Sequence, residues 1–164
     1  MTDIRIVREY SHPPEKVWKA LTEPVLIARW LMRPEGFEAK IGNRFRLTTK
    51  PQPGWRGFVE CEVIEVIDGC RLAYRWVGNE NGKSTIVRYS LETIAGGTRL
   101  IFEHTGFSGL GGFILAKMML GPGWRKMFSK TIPKILDALR ANGSLDSAAE
   151  ILARFGEPIA IYSR

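Results

Sequence analysis

Tyr74, Tyr89 and His104 are the side chains of this sequence best suited to hold a bound molecule by hydrogen bonds or to pass it a proton. Each lies in a stretch where apolar and polar residues alternate, which predicts β-strands with one buried face. Two interpretations remain open at this level. The three groups either satisfy one another inside a core, as buried polar groups must, or orient a ligand that enters it.

Three turn signals set the predicted positions of these residues. The signals read as two-residue hairpin loops at Asp68-Gly69, Asn81-Gly82 and Gly96-Gly97. Such loops pair Val63 with Tyr74, Tyr74 with Tyr89, and Tyr89 with His104. All three turns agree on which face is apolar, since a slip of one residue would exchange the two faces. The opposite face is predicted to carry Glu62, Arg75, Arg88 and Thr105.

Glu65 breaks the alternation, because strict counting points it inward beside Leu72. An unpaired carboxylate in an apolar interior is costly, so Glu65 either lies at a wet rim or is turned outward by a bulge. We expect a β-bulge between Val63 and Val66. Glu62 is expected to form an ordinary ion pair with Arg75 on the outer face, worth under about 1 kcal/mol.

Covalent or metal chemistry has little support from the residue types. Nucleophile-base pairs, carboxylate dyads and zinc spacings do not appear as motifs, and the chain has two Cys and two His. On the predicted register Cys61 and Cys70 stand about 20 Å apart, beyond the roughly 7 Å that a disulfide spans, so both are expected to be free thiols. His12 precedes two prolines and is interpreted as a solvated loop residue.

Two short helices are predicted between His12 and Pro34. Pro13 and Pro14 can start the first and Pro24 the second, because the first helical positions need no amide donor. Each helix has an apolar stripe, formed by Val17, Trp18 and Leu21 in the first and by Val25, Leu26, Ile27 and Trp30 in the second.

A long helix is predicted from Gly123 to about Asn142, where Asn142-Gly143 is a suitable stop. Its wide apolar stripe comprises Trp124, Met127, Phe128, Ile132, Ile135, Leu136 and Leu139. Pro133 lies inside this helix. Because proline removes a hydrogen bond and clashes with the preceding turn, a kink is expected near residues 129–133.

Residues 108–121 are unusually apolar, with Lys117 as the only charge within 110–120. An apolar run of this length is most often buried, so we expect a short helix packed over the mouth of a cavity. Its glycines supply hinge freedom, which leaves a mobile lid, a dimer contact and a lipid-touching patch as alternatives. Beyond Gly143, Ser144 can cap a further short helix that docks on the body or on a second subunit.

Composition sets the class of molecule. A chain of 164 residues, 45% hydrophobic, suits one domain with a real core. The net charge of +7 comes from scattered Lys and Arg, without a basic helix or an RNA-binding aromatic motif, so nucleic acid is not expected as a partner. No segment reaches the roughly 20 apolar residues of a membrane span, and the first residues have no signal-peptide core. A cytoplasmic location is expected.

Several short motifs resemble the START-like (SRPBCC) superfamily, and within it the C-terminal domain of activators of the ninety-kilodalton heat-shock-protein ATPase. They lie between residues 4 and 142, at 17–22, Arg29-Trp30, 41–46, 97–100, 104–107 and Gly123-Trp124. The resemblance implies an α+β helix-grip fold, in which a curved antiparallel sheet wraps around a long C-terminal helix, with two short helices after the first strand. It also implies an apolar cavity between sheet and helix. We assign residues 1–142 to this domain and 143–164 to a C-terminal tail.

The predicted function is non-covalent binding of a small apolar, aromatic or lipid-like molecule, without metal or cofactor. Alternatives are an enzyme of the polyketide cyclase or aromatase kind, and a co-chaperone-like interaction protein. A roomy cavity would favour the first two, and a filled core with an exposed apolar patch the third. Homodimerisation and peripheral lipid contact through residues 108–121 are further alternatives. The candidate ligand-binding residues are Trp30, Phe45, Trp55, Tyr74, Trp76, Tyr89, Phe102, His104, Phe113, Trp124 and Phe128.

Overall fold

The computed structural model describes residues 3–78 and 83–139, in which one curved antiparallel sheet packs against helices. The elements are β1 (Ile4–Tyr10), α1 (Pro14–Thr22), α2 (Pro24–Trp30), β2 (Arg33–Glu35), β3 (Arg44–Thr48), β4 (Phe58–Ile67), β5 (Arg71–Val77), β6 (Thr85–Ile94), β7 (Gly97–Thr105) and a long helix over residues 109–138. The strand order is β1-β7-β6-β5-β4-β3-β2, and every pairing is antiparallel. The predicted helix-grip fold is confirmed.

The buried face of each strand is the predicted one, but two of the three predicted pairings are wrong by two residues. Val63 pairs with Tyr74 as expected. Tyr74, however, pairs with Val87, and Tyr89 pairs with Phe102. The β6–β7 loop is Ala95-Gly96, because Ile94 and Gly97 are already paired. The Asn81-Gly82 turn lies outside the described residues.

The expected bulge is present in β4. The register shifts between Val63 and Glu65, so that Glu65 pairs with Ala73 and points to the outer face. There the carboxylate lies 3.1 Å from Nε of Arg88 and 3.4 Å from Nη1 of Arg71. Turning the charge outward removes the cost of burying it without a partner. The predicted outer-face pair is also found, with Glu62 at 3.6 Å from Arg75.

The long helix begins at Gly109, much earlier than Gly123, and contains two π-helical turns. It runs without interruption through Gly109–Ile114, the π-turn Leu115–Leu120, Gly121–Lys126, the π-turn Met127–Thr131 and Ile132–Ala138. The expected separate helix over residues 108–121 is therefore the first part of the long helix. The predicted stop at Asn142-Gly143 and the tail 143–164 lie outside the described residues.

Each π-turn ends two residues before a proline. The residues before Pro122 and Pro133 are Gly121 and Ile132, whose N–H groups donate to the carbonyls of Ala116 and Met127, five positions earlier. A proline ring clashes with the carbonyl four positions before it, and the wider turn gives the ring room. Residues 129–133, where a kink was expected, overlap the second π-turn.

The first part of the long helix is exposed, contrary to the expectation that it is buried. Leu110 and Met118 have 76% and 73% of their surface exposed, and only Ala116 and Leu120 are buried within residues 109–120. The second part is held against the body, where Ile132, Ile135 and Leu136 are buried. Among the described helices, none combines the length and the apolar character needed to cross a bilayer.

Candidate ligand-binding site

Aromatic rings fill the space between the sheet and the long helix. Trp124 and Phe128 of the long helix stack at 5.9 Å between ring centroids and contact Phe102 of β7 at 4.4 and 4.8 Å. Trp30 closes the cluster from α2, 6.1 Å from the ring of Tyr89. All five side chains are at most 1% exposed. The concave face is therefore a packed aromatic layer.

Tyr74 and Tyr89 form a polar pair inside this layer. They sit on neighbouring strands in diagonal positions, and their hydroxyl oxygens are 2.7 Å apart. Two hydroxyls have two protons to donate, but their mutual hydrogen bond uses one. Within residues 3–78 and 83–139 neither hydroxyl has another hydrogen-bond partner, so one O–H remains available to an acceptor.

His104 belongs to a second network, in which each polar group has a partner. The indole N–H of Trp124 donates to Nδ1 of His104 at 3.1 Å. Nδ1 therefore accepts, and Nε2 carries the proton that is donated to Oγ1 of Thr85 at 2.7 Å. The Thr85 hydroxyl in turn donates to the carbonyl of Trp76 at 3.2 Å. This chain has a defined direction and matches the interpretation of a satisfied core network.

Burial controls the ionisation of these groups. It lowers the pKa of His104 to about 3, so the imidazole is neutral at physiological pH. It raises the pKa of Tyr74 and Tyr89 far above the ordinary value, because a phenolate would be desolvated there. Burial likewise raises the pKa of the Cys61 thiol well above its usual range. All four groups are thus neutral and act through hydrogen bonds or packing.

Nine of the eleven predicted site residues lie together on the concave side. These buried residues are Trp30, Phe45, Tyr74, Trp76, Tyr89, Phe102, His104, Trp124 and Phe128. Trp55 packs at the edge of the core, where its indole N–H donates to the carbonyl of Gly78 at 2.6 Å. Phe113 is 46% exposed on the long helix and is separate from the cluster.

Two residues were not recognised from the sequence as parts of networks. Thr85 could not be identified as the partner of His104, because the predicted register placed Tyr89 there. His12 was interpreted as a solvated loop residue, but its Nε2 lies 2.9 Å from Asp137 and its Nδ1 lies 2.9 Å from Nζ of Lys16. The contact with Asp137 joins the segment before α1 to the end of the long helix, and the contact with Lys16 ties the same histidine to α1. A His followed four residues later by a Lys at a helix entry was the available signal.

A recess of about 440 Å³ lies along strands β2 to β5. Its lining includes Phe45, Cys61 and Val77, with charged side chains at Glu35, Arg44, Arg46, Glu60, Glu62 and Arg75. Three glutamates and three arginines leave its formal charge balanced.

Cys61 and Cys70 are free thiols, as expected. In the described part of the chain, no group of three or more His, Cys, Asp or Glu side chains is arranged to hold a metal ion.

The sheet order, the two short helices and the long helix on the aromatic face define a helix-grip protein of the START-like class. The sequence pattern of the family described as Activator of Hsp90 ATPase homolog 1-like protein matches residues 11–137, and the chain belongs to this family. None of the curated proteins compared with the chain matches it.

Solved structures show the same fold. Protein MLL2253 from Mesorhizobium loti is 32% identical, with a TM-score of 0.71 over 82% of this chain and 96% of that chain. CalU16 from Micromonospora echinospora is 23% identical, with a TM-score of 0.65 over 94% and 83% of the two chains. The Aha1 dimer from Colwellia psychrerythraea is 20% identical, with a TM-score of 0.66 over 82% and 99%. The last two similarities concern the fold alone.

Proposed function

We propose that this protein binds a small apolar or aromatic molecule with one hydrogen-bond acceptor, on the concave face beside Tyr74 and Tyr89. The observation that carries this proposal is the unused hydroxyl proton of the pair. A buried donor without an acceptor costs about 1 to 3 kcal/mol, which a ligand acceptor would recover. His104 is not part of the proposed contact, because both of its ring nitrogens are already engaged.

Entry of the ligand requires the aromatic layer to open, and the first part of the long helix is the element that can move. Within residues 109–120 only Ala116 and Leu120 are buried, so few contacts hold this part to the sheet. The π-turn Leu115–Leu120 and Gly121 separate it from the firmly packed part that carries Trp124. Movement about this turn would withdraw Ala116 and Leu120 from the edge of the core without unfolding α1 or α2.

The arrangement favours a binding role over acid-base catalysis. A general acid or base works best when its pKa lies near the operating pH. Burial moves the pKa of His104 down to about 3 and the pKa values of both tyrosines upward, so none of them titrates near neutrality. A cyclase or aromatase role therefore lacks a proton-transfer group at the described site.

The test uses the fluorescent probe anilinonaphthalene sulfonate, whose sulfonate is an acceptor on an apolar ring system. All measurements are made in a Met118→Asp background, which suppresses adsorption to the exposed helix. We expect a dissociation constant on the order of micromolar, weakened several-fold by the double substitution Tyr74→Phe and Tyr89→Phe.

Thr85→Val is the matched control, because it removes a buried hydroxyl from the other network. It is expected to leave probe affinity unchanged among molecules that remain folded. Equal affinity of the double tyrosine variant and its parent would refute the proposal.

An interaction protein is the second candidate function, since the aromatic layer is filled and the long helix exposes apolar side chains. This is the combination expected of a molecule that contacts another surface. Size-exclusion chromatography with light scattering, over a range of protein concentrations, tests whether that surface is a second copy of the chain.

A further inference from the structure

The exposed part of the long helix has an apolar face that no described element covers. Leu110, Ile114 and Met118 follow one another at intervals of four residues, so they share one side of the helix. They are 76%, 48% and 73% exposed, and Phe113 and Met119 beside them are 46% and 51% exposed. We call these five residues the helix patch. Exposed large apolar residues clustered in this way mark a contact surface.

The charged residues of the long helix before Asp137 are all cationic. The exposed positions of the helix from Lys117 onward include Arg125, Lys126, Lys130 and Lys134, and the first acidic residue of the helix is Asp137. The long helix therefore combines an apolar first part with a cationic continuation. Its outward surface fits a partner that has an apolar interior and a negatively charged surface.

We propose that the long helix docks on an anionic lipid surface, with the helix patch inserted among the acyl chains and the cations of residues 117–134 at the headgroups. Helices of this kind lie in the plane of the membrane interface, and their affinity comes from buried apolar area together with attraction to anionic lipids. The unbranched, flexible side chains of Met118 and Met119 suit a fluid surface, because no fixed shape has to be matched.

A second copy of the chain fits the patch less well. An isologous contact would place two cationic helices against each other, and like charges at an interface oppose association. An anionic membrane instead attracts each Lys and Arg near its surface with about 1 kcal/mol. Charge complementarity therefore selects the lipid surface. This inference stands on the outward face of the helix and is independent of small-molecule binding at Tyr74 and Tyr89.

The experiment is co-sedimentation of the full chain with two kinds of vesicle. One is phosphatidylcholine alone and the other is phosphatidylcholine mixed with phosphatidylglycerol, both at moderate salt. Binding is expected only to the anionic vesicles, to weaken as salt is added, and to fall about tenfold or more in Met118→Asp. Lys126→Glu with Lys130→Glu is expected to weaken binding without changing the apolar patch.

Ile41→Asp is the matched control, because Ile41 is 70% exposed outside the long helix. It introduces the same charge and is expected to bind like the parent. Circular dichroism and urea unfolding of each variant restrict the comparison to folded protein. Failure of the parent to bind anionic vesicles, or equal binding by Met118→Asp, overturns the proposal. A dimer that Met118→Asp dissociates, or capture of an acidic protein without vesicle binding, assigns the patch to those partners instead.

Discussion

The indole N–H of Trp124, on the long helix, donates to Nδ1 of His104, on β7, across 3.1 Å. This one hydrogen bond joins the two layers of the fold and selects the tautomer of the histidine. Since Nδ1 accepts, Nε2 must donate, and the chain through Thr85 to the carbonyl of Trp76 follows from it. The contact works only while the imidazole is neutral.

Stability is therefore expected to fall in mild acid. The pKa of His104 is about 3 in the folded protein and near 6.5 when unfolded, so its contribution is complete above pH 6.5 and is lost as pH falls toward 3. Between pH 7 and pH 5 the loss is about 2 kcal/mol. Urea unfolding at both pH values measures it. His104→Gln is expected to remove this part of the pH dependence, and an unchanged pH dependence in that variant contradicts the assignment.

Alanine is expected to act oppositely at two glycines of the long helix. A Cβ at Gly121 would lie 2.7 Å from the carbonyl oxygen of Ala116, inside the π-turn, whereas a Cβ at Gly111 meets nothing within 4 Å. Gly121→Ala should lower the free energy of unfolding by 1 kcal/mol or more, on the order of other overpacking costs. Gly111→Ala should leave it unchanged or raise it by up to about 1 kcal/mol. Thermal unfolding of both variants compares them, and equal effects would refute the role of the turn.

The tyrosine pair should show non-additive stability. Tyr89→Phe alone leaves the Tyr74 hydroxyl buried without its partner, at a cost of about 1 kcal/mol or more. Tyr74→Phe combined with Tyr89→Phe removes both polar groups, so the double variant should be less destabilised than the sum of the single variants, or as stable as the parent. A double-mutant cycle from urea unfolding tests this. A double variant that loses the full sum would show that the pair is not a coupled polar unit.

Thr98 connects the sheet to the entry of α1. Its hydroxyl donates to the carbonyl of His12 at 2.7 Å, and the residue is fully buried. Thr98→Val keeps the shape and β-branching but leaves that carbonyl without its donor, so stability should fall by about 1 to 3 kcal/mol. Thr93 is paired with Thr98 across the turn and is exposed, and Thr93→Val should change stability by less than about 0.5 kcal/mol. Equal losses in the two variants would contradict this explanation.

The sequence predicts which face of a strand is buried better than it predicts which residues pair across neighbouring strands, and Tyr89 shows why. Hydrophobic alternation has a period of two, so it detects a slip of one residue but not a slip of two. Tyr89 was correctly placed on the buried face, yet it stands opposite Phe102 instead of His104. The register also depends on the lengths of the loops between the strands, which hydrophobic alternation does not give. The hydrogen-bonding partner of His104 therefore remained hidden, although its burial was foreseen.

Prediction from the sequence also fails for exposed apolar residues such as Phe113 and Met118. Their apolar character predicted burial, but composition alone does not say whether an apolar run finds its partner inside the same chain. Prolines were more informative. Pro133 directed attention to residues 129–133, where the structure has a π-turn, because the effect of a proline depends on local backbone geometry and not on distant contacts.

The bulge in β4 has a consequence for which substitutions the strand tolerates. Before the bulge the odd-numbered positions Val59, Cys61 and Val63 are the buried ones, but beyond it Val66 faces the core and Glu65 faces out. A scan that places aspartate at each position should therefore find the damaging sites at odd numbers as far as Val63 and at an even number afterwards. The neighbouring strand β3 has no such shift, so the same scan along it should find the damaging sites at Phe45 and Leu47, which are both odd-numbered.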